Sequence, residues 1–163
     1  LILLIIIALS ALLNEFVHPT KTLSASGLPL RVQDGDSFET GGKRLRLDGI
    51  DAPEYRQTCT DINGSSWACG KAARANLEKL LLQPGLVCEY EVADSYGRAL
   101  AKCRNATIPD IAAVQVSEGM ATSHDYYGVR AYGDEEDAAH EAKRGIWRGK
   151  FTPPVVWREL NPR

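Results

Sequence analysis

Four cysteines, Cys59, Cys69, Cys88 and Cys103, restrict the folds open to this chain more than any other feature. Cys88 and Cys103 lie symmetrically about the turn sequence Asp94-Ser95-Tyr96-Gly97, which predicts a tight hairpin with the two thiols opposite each other, within a residue of register. Antiparallel neighbours stand at a Cα separation that a disulfide can span. Cys59 and Cys69 would close a short loop holding Asp61, Asn63, Gly64 and Ser65. No pair has the Cys-x-x-Cys spacing of a structural zinc site. An even count behind an export-type segment reads as two bridges, Cys59–Cys69 and Cys88–Cys103, rather than four reduced core thiols. Each bridge would contribute ~2–3 kcal/mol for loops of this size.

The export-type segment runs from Leu1 to Leu13 and is apolar except for Ser10. It is shorter than the ~20 residues of a membrane span and fits the hydrophobic part of a signal peptide. The sequence opens on Leu1, so a start further upstream is expected, and a membrane anchor stays open beside a cleaved signal. Ser24, Ala25 and Ser26 offer small residues to a signal peptidase. The reading is therefore residues 1–27 as signal peptide or signal anchor plus linker, 28–150 as one folded domain, and 151–163 as an irregularly packed tail. It places the protein outside the cytoplasm, periplasmic or extracellular, or held on the membrane by its N-terminal segment.

From Leu30 onward strands come first and helices later. Leu30 to Asp34 reads as a short strand. Ser37 to Thr40 and Arg44 to Leu47 flank Gly41-Gly42 as a hairpin, with Leu45 and Leu47 on one side and Arg44 and Arg46 on the other. Val87 to Val92 and Arg98 to Cys103 form a second hairpin. Ala73, Leu77, Leu80 and Leu81 recur at helical spacing before Pro84-Gly85. A shorter helix follows Pro109 and stops at Gly119. The last begins at Asp134, Glu135, Glu136 and Asp137 and ends near Lys143 and Arg144, a charge order that complements the helix dipole. The class is α+β, with about three helices. Net charge is −2 in 163 residues, which excludes a protein held on nucleic acid by a broad basic surface. A polyanion would need local arginines or a bound cation.

Breaking a phosphodiester calls for a hard cation, fixed positive side chains and a base to activate water. Calcium takes oxygen ligands, mainly carboxylates and carbonyls. Three segments carry such groups: Asp34-Gly35-Asp36 on a tight turn, Arg46 through Asp51-Ala52-Pro53-Glu54, and Tyr96-Gly97-Arg98 after the second hairpin's turn. Each is common in isolation. In this order, and followed by Gly145-Ile146-Trp147, they resemble the thermonuclease (staphylococcal-nuclease-like) family over about Leu30 to Gly149.

That resemblance implies a five-stranded OB-fold β-barrel and a calcium-dependent phosphodiesterase, acting as a monomer on DNA and RNA and leaving 3′-phosphates. It implies Asp36, Asp51 and the backbone carbonyl of Ala52 as Ca2+ ligands, where the family often has threonine at the last position. Glu54 would take a proton from the attacking water. Arg46 would neutralise charge on the phosphate, and Arg98 would do so nearer the leaving 5′ oxygen, the guanidinium fork meeting two oxygens at once. Tyr96 and Tyr127 are candidates to stack on bases. The chain departs from its relatives at Ser95, where they carry a phosphate-binding lysine, and at Asp125, which stands where a stacking tyrosine is expected. His124 is given no role. Two rival readings are a non-catalytic OB-fold module that binds nucleic acid and a calcium-stabilised adhesion domain. The joint presence of Asp36, Arg46, Asp51, Glu54 and Arg98 weighs against both, because a pure binder gains nothing from acids beside a polyanion and an adhesion domain has no use for the arginines.

Overall fold

A computed structural model describes residues 20–162, so the apolar run Leu1–Leu13 lies outside the described residues. No helix among the described residues is long and apolar enough to cross a membrane. The strands are β1 Lys21–Ser24, β2 Leu30–Val32, β3 Ser37–Thr40, β4 Lys43–Leu47, β5 Ile50–Asp51, β6 Cys59–Asp61, β7 Ser66–Trp67, β8 Val87–Ala93, β9 Ala99–Arg104, β10 Thr122–Ser123, β11 Asp125–Tyr126, β12 Val129–Arg130 and β13 Gly149–Lys150. The helices are α1 Cys69–Leu81, α2 Ile111–Ser117, α3 Gly133–Glu141, a 3-10 turn Gly145–Arg148 and α4 Pro154–Leu160.

The α+β class is met, and the strands order as an OB-fold. The main sheet has six strands, in the order β1-β8-β9-β4-β3-β2. Its pairs are antiparallel except β4 with β9, which run parallel with Arg46 opposite Leu100. The edge strands β1 and β2 are consecutive in the chain, joined by residues 25–29, so the sheet's two margins are successive pieces of one segment. Five strands were expected and six are found, because the first is split. Leu28 turns back to donate to the Ala25 carbonyl at 3.1 Å, and Pro29 has no N–H to give a ladder. The first strand among the described residues thus lies at Lys21–Ser24, upstream of residue 28.

Alternation along β3 and β4 turns Phe38, Leu45 and Leu47 inward, where they meet Leu77 of α1 and Ile111 and Val116 of α2. A smaller cluster gathers Cys59, Cys69 and Ile146 with Trp67, Trp147 and Phe151. Both expected disulfides are formed. Cys88 sits directly opposite Cys103, and a one-residue bulge between Tyr90 and Ala93 absorbs the rest of the hairpin. The tail is not irregular as expected. Gly149–Lys150 pairs with β6, and Pro154, at the first helical position, opens α4 with its φ already suited to a helix.

Candidate active site

The Asp34-Gly35-Asp36 turn is built by its first acid. Asp34 Oδ1 accepts from the Ser37 backbone N–H at 2.9 Å and the Ser37 hydroxyl at 2.5 Å, so Asp34 shapes the turn. Gln115, fully buried, donates to the carbonyls of Gly35 at 2.7 Å and Ala73 at 2.9 Å, and so ties the turn to α1. Asp36, only 2% exposed, then points inward. Its Oδ1 accepts from Arg46 Nη1 at 2.6 Å and its Oδ2 from the Ala52 backbone N–H at 2.9 Å. Arg46 Nη2 reaches Asp51 Oδ1 at 2.9 Å and the Ile50 carbonyl at 3.3 Å. One guanidinium therefore bridges two acids from different loops.

Electrostatics follow from this burial. Desolvation pushes the Asp36 carboxyl well above the usual carboxylate range, Arg46 opposes the rise, and Asp34 and Asp51 add to it. Burial disfavours the charge on Arg46 too, but Asp36 and Asp51 outweigh that and raise its pKa. The Asp36 and Asp51 carboxylates, and the backbone carbonyl of Ala52 next in sequence to Asp51, are hard oxygen donors of the kind calcium takes. A cation beside Asp36 would relieve the charge that burial opposes, so the donor set fits a divalent ion. No group of three or more His, Cys, Asp or Glu arranged to hold a metal occurs among the described residues, and water would complete any such shell.

Glu54 is positioned by backbone. Its carbonyl accepts from Gln57 N–H at 2.7 Å, and its N–H donates to Gln57 Oε1 at 3.3 Å. Gln57 is itself buried and anchored to the Thr152 carbonyl at 2.6 Å. The start of α1 packs so close that a Cβ on Gly70 would lie 1.8 Å from the Glu54 carbonyl oxygen.

Asp36, Arg46, Asp51 and Ala52 are thus joined by hydrogen bonds, and Glu54 follows them in the chain. Arg98 belongs to a neighbouring group. Its Nε donates to Asp94 Oδ2 at 2.8 Å, and its guanidinium lies 5.3 Å from the Tyr96 ring. Arg98 stands just before β9, two residues ahead of Leu100, the partner of Arg46 across the parallel pair. Burial alone would raise the Asp94 pKa, but donors from the Arg98 backbone, the Arg98 side chain and the Tyr96 backbone hold it below the usual range. Tyr96 is 73% exposed, and Tyr127 stands clear of the surface on the β11–β12 turn with φ 57°. Asp125 accepts from Gly128 N–H at 2.5 Å and so serves that turn. Tyr126, unremarked in the sequence, donates to Asp48 at 2.7 Å.

One further residue was missed. Arg158, on α4, donates from Nη1 to Asp51 Oδ1 at 2.9 Å, from Nη2 to Asp51 Oδ2 at 3.0 Å, and from Nη1 to Glu54 Oε1 at 3.3 Å. The Pro153-Pro154 start of a helix was its only local signal.

Residues 44–149 match the family described as staphylococcal nuclease homologue. The succinoglycan biosynthesis protein ExoI of Rhizobium meliloti (strain 1021) is 32% identical over 120 residues, covering 73% of this chain and 63% of that protein, so the match spans less than two thirds of that relative. The micrococcal nuclease of Shigella flexneri is 29% identical over 151 residues, 83% of this chain and 81% of that protein. The match takes in Arg46, Asp51, Ala52, Glu54 and Arg98 and runs through the Gly145-Ile146-Trp147 turn; the chain belongs to the staphylococcal nuclease homologue family.

Proposed function

We propose that the protein is an exported nuclease, a calcium-dependent phosphodiesterase that hydrolyses DNA and RNA and leaves 3′-phosphates. The observation that carries the reading is the single guanidinium of Arg46 bridging Asp36 and Asp51, with Glu54 beside them through the shared contact to Arg158. Bound calcium would supply Lewis-acid polarisation of a phosphate oxygen. Asp36, Asp51 and the Ala52 carbonyl would hold it.

The rest is the work of the chain's own groups. Glu54 accepts a proton from a water as the water oxygen attacks phosphorus in line. The bond from phosphorus to the 5′ oxygen breaks, and the phosphate stays on the 3′ side. Arg46 meets the equatorial oxygens as their charge grows. Arg98, just before the strand that pairs with Arg46, serves the leaving oxygen once a phosphate competes with Asp94 for its fork. Tyr96 and Tyr127 offer exposed rings to bases. The two disulfides fit an oxidising compartment, periplasmic or extracellular.

Plasmid digestion by the purified protein tests the reading. Supercoiled DNA should be nicked and degraded with calcium and left intact in excess EDTA. Digestion that persists in chelator would overturn the calcium assignment, and binding without cleavage in either condition would favour a non-catalytic module.

A further inference from the structure

Arg158 lies beyond the matched residues 44–149, yet it ties α4 to the acid cluster by hydrogen bonds to Asp51 and Glu54. Its two terminal nitrogens take both oxygens of Asp51 in a fork, the strongest form of guanidinium–carboxylate contact. Asp51 Oδ1 is also engaged by Arg46, so both Asp51 oxygens are already occupied by cationic donors. Asp51 Oδ1 already serves two guanidinium groups, so a divalent ion binding through Asp51 competes with them for the same lone pairs and is repelled by their charge.

The two arginines are not equally free to leave. Arg46 is 17% exposed, sits on a central strand, and holds Asp36 and the Ile50 carbonyl as well. Arg158 is 38% exposed and rides on a seven-residue helix of which only Pro154 is buried. An element with so little buried surface undocks at low cost. We infer that Arg158 is a built-in counterion of Asp51 and Glu54, a positioning residue that the divalent ion replaces, so that ion binding frees α4 from the site. The inference rests on the calcium assignment proposed above and adds what that assignment lacks, an internal competitor for the ion.

Calorimetric titration of calcium into the full chain, its Arg158→Ala and Arg158→Lys variants, with hydrogen exchange over residues 154–160, tests it. Arg158→Ala should bind calcium roughly tenfold more tightly than the parent, within the usual span of coupling between two sites. Arg158→Lys, which keeps the charge but loses the fork, should fall between. In the parent, calcium should speed exchange across 154–160. Thermal melts check folding, and Arg158→Gln, which keeps most of the side chain's packing, serves if the alanine variant is unfolded. Equal or weaker calcium affinity in Arg158→Ala overturns the inference alone. Tighter affinity without faster exchange at 154–160 also overturns it, since a distant charge effect would suffice. If no variant takes up calcium, the assignment of the ion fails and the inference with it.

Discussion

Arg46 carries two tasks at the scale of the single residue. It neutralises two buried acids in the folded chain, and on the proposed reading it also meets the phosphate. Its removal should therefore be felt in stability as well as in turnover. Arg46→Ala leaves Asp36 buried without its cation and should cost about 3–5 kcal/mol in calcium-free melts. Glu54→Gln is the cleaner probe of chemistry, because it keeps shape and hydrogen bonding. It should lower kcat by about 10²–10⁴-fold with little change in melting temperature. Parental digestion rates in that variant would remove Glu54 from the mechanism. Asp94 supplies a pH test. Its pKa is depressed in the folded chain, so its contribution is complete above the ordinary value of ~3.9 and is lost as pH falls through the lower folded value. Asp94→Asn should thus melt below the parent at neutral pH, with the gap closing in acid. A gap constant with pH would mean that turn geometry, not charge, is at stake. The motif residues were legible because they cluster in short runs. Arg158 was not, since its partners stand 107 and 104 positions away and nothing local announces them.

At the scale of the element, the site depends on close backbone approach. The first turn of α1 presses on the Glu54 carbonyl at Gly70, and Gly145 crosses Gly119 so tightly that a Cβ on Gly145 would lie 2.0 Å from the Gly119 oxygen. Gly70→Ala should displace the Pro53–Gln57 segment and reduce activity more than stability. Assays compared with melts would decide this, and an active Gly70→Ala enzyme would show that the segment yields freely. Helix periodicity made α1 readable, Pro109 and Gly119 bounded α2, and symmetry about Asp94–Gly97 made the β8–β9 hairpin readable to the register. The α4 helix was passed over because its face has little apolar pattern to bury: Val155 and Val156 are exposed. The split of the first strand was missed too. Pro29 marks the break locally, but the pairing of the first piece with β8, more than sixty positions away, is not encoded nearby.

For the whole molecule, a net charge of −2 and an arginine-rich site are compatible because the positive groups are concentrated where acids hold them. The fold class could be read from the order of strands and helices, but the strand Lys21–Ser24, upstream of the expected residue 28, could not. Lys21–Ser24 pairs with β8, and Ala25, 3% exposed, donates to the Leu86 carbonyl at 2.9 Å. Proteolytic maturation after Ser26 would strip this strand away and leave β8 as a raw margin, its peptide groups open to any other extended chain. Processing compatible with solubility must therefore fall before Lys21. On the proposed export, mass spectrometry should find a mature terminus there or earlier, while a version starting at Leu28 should be prone to aggregate.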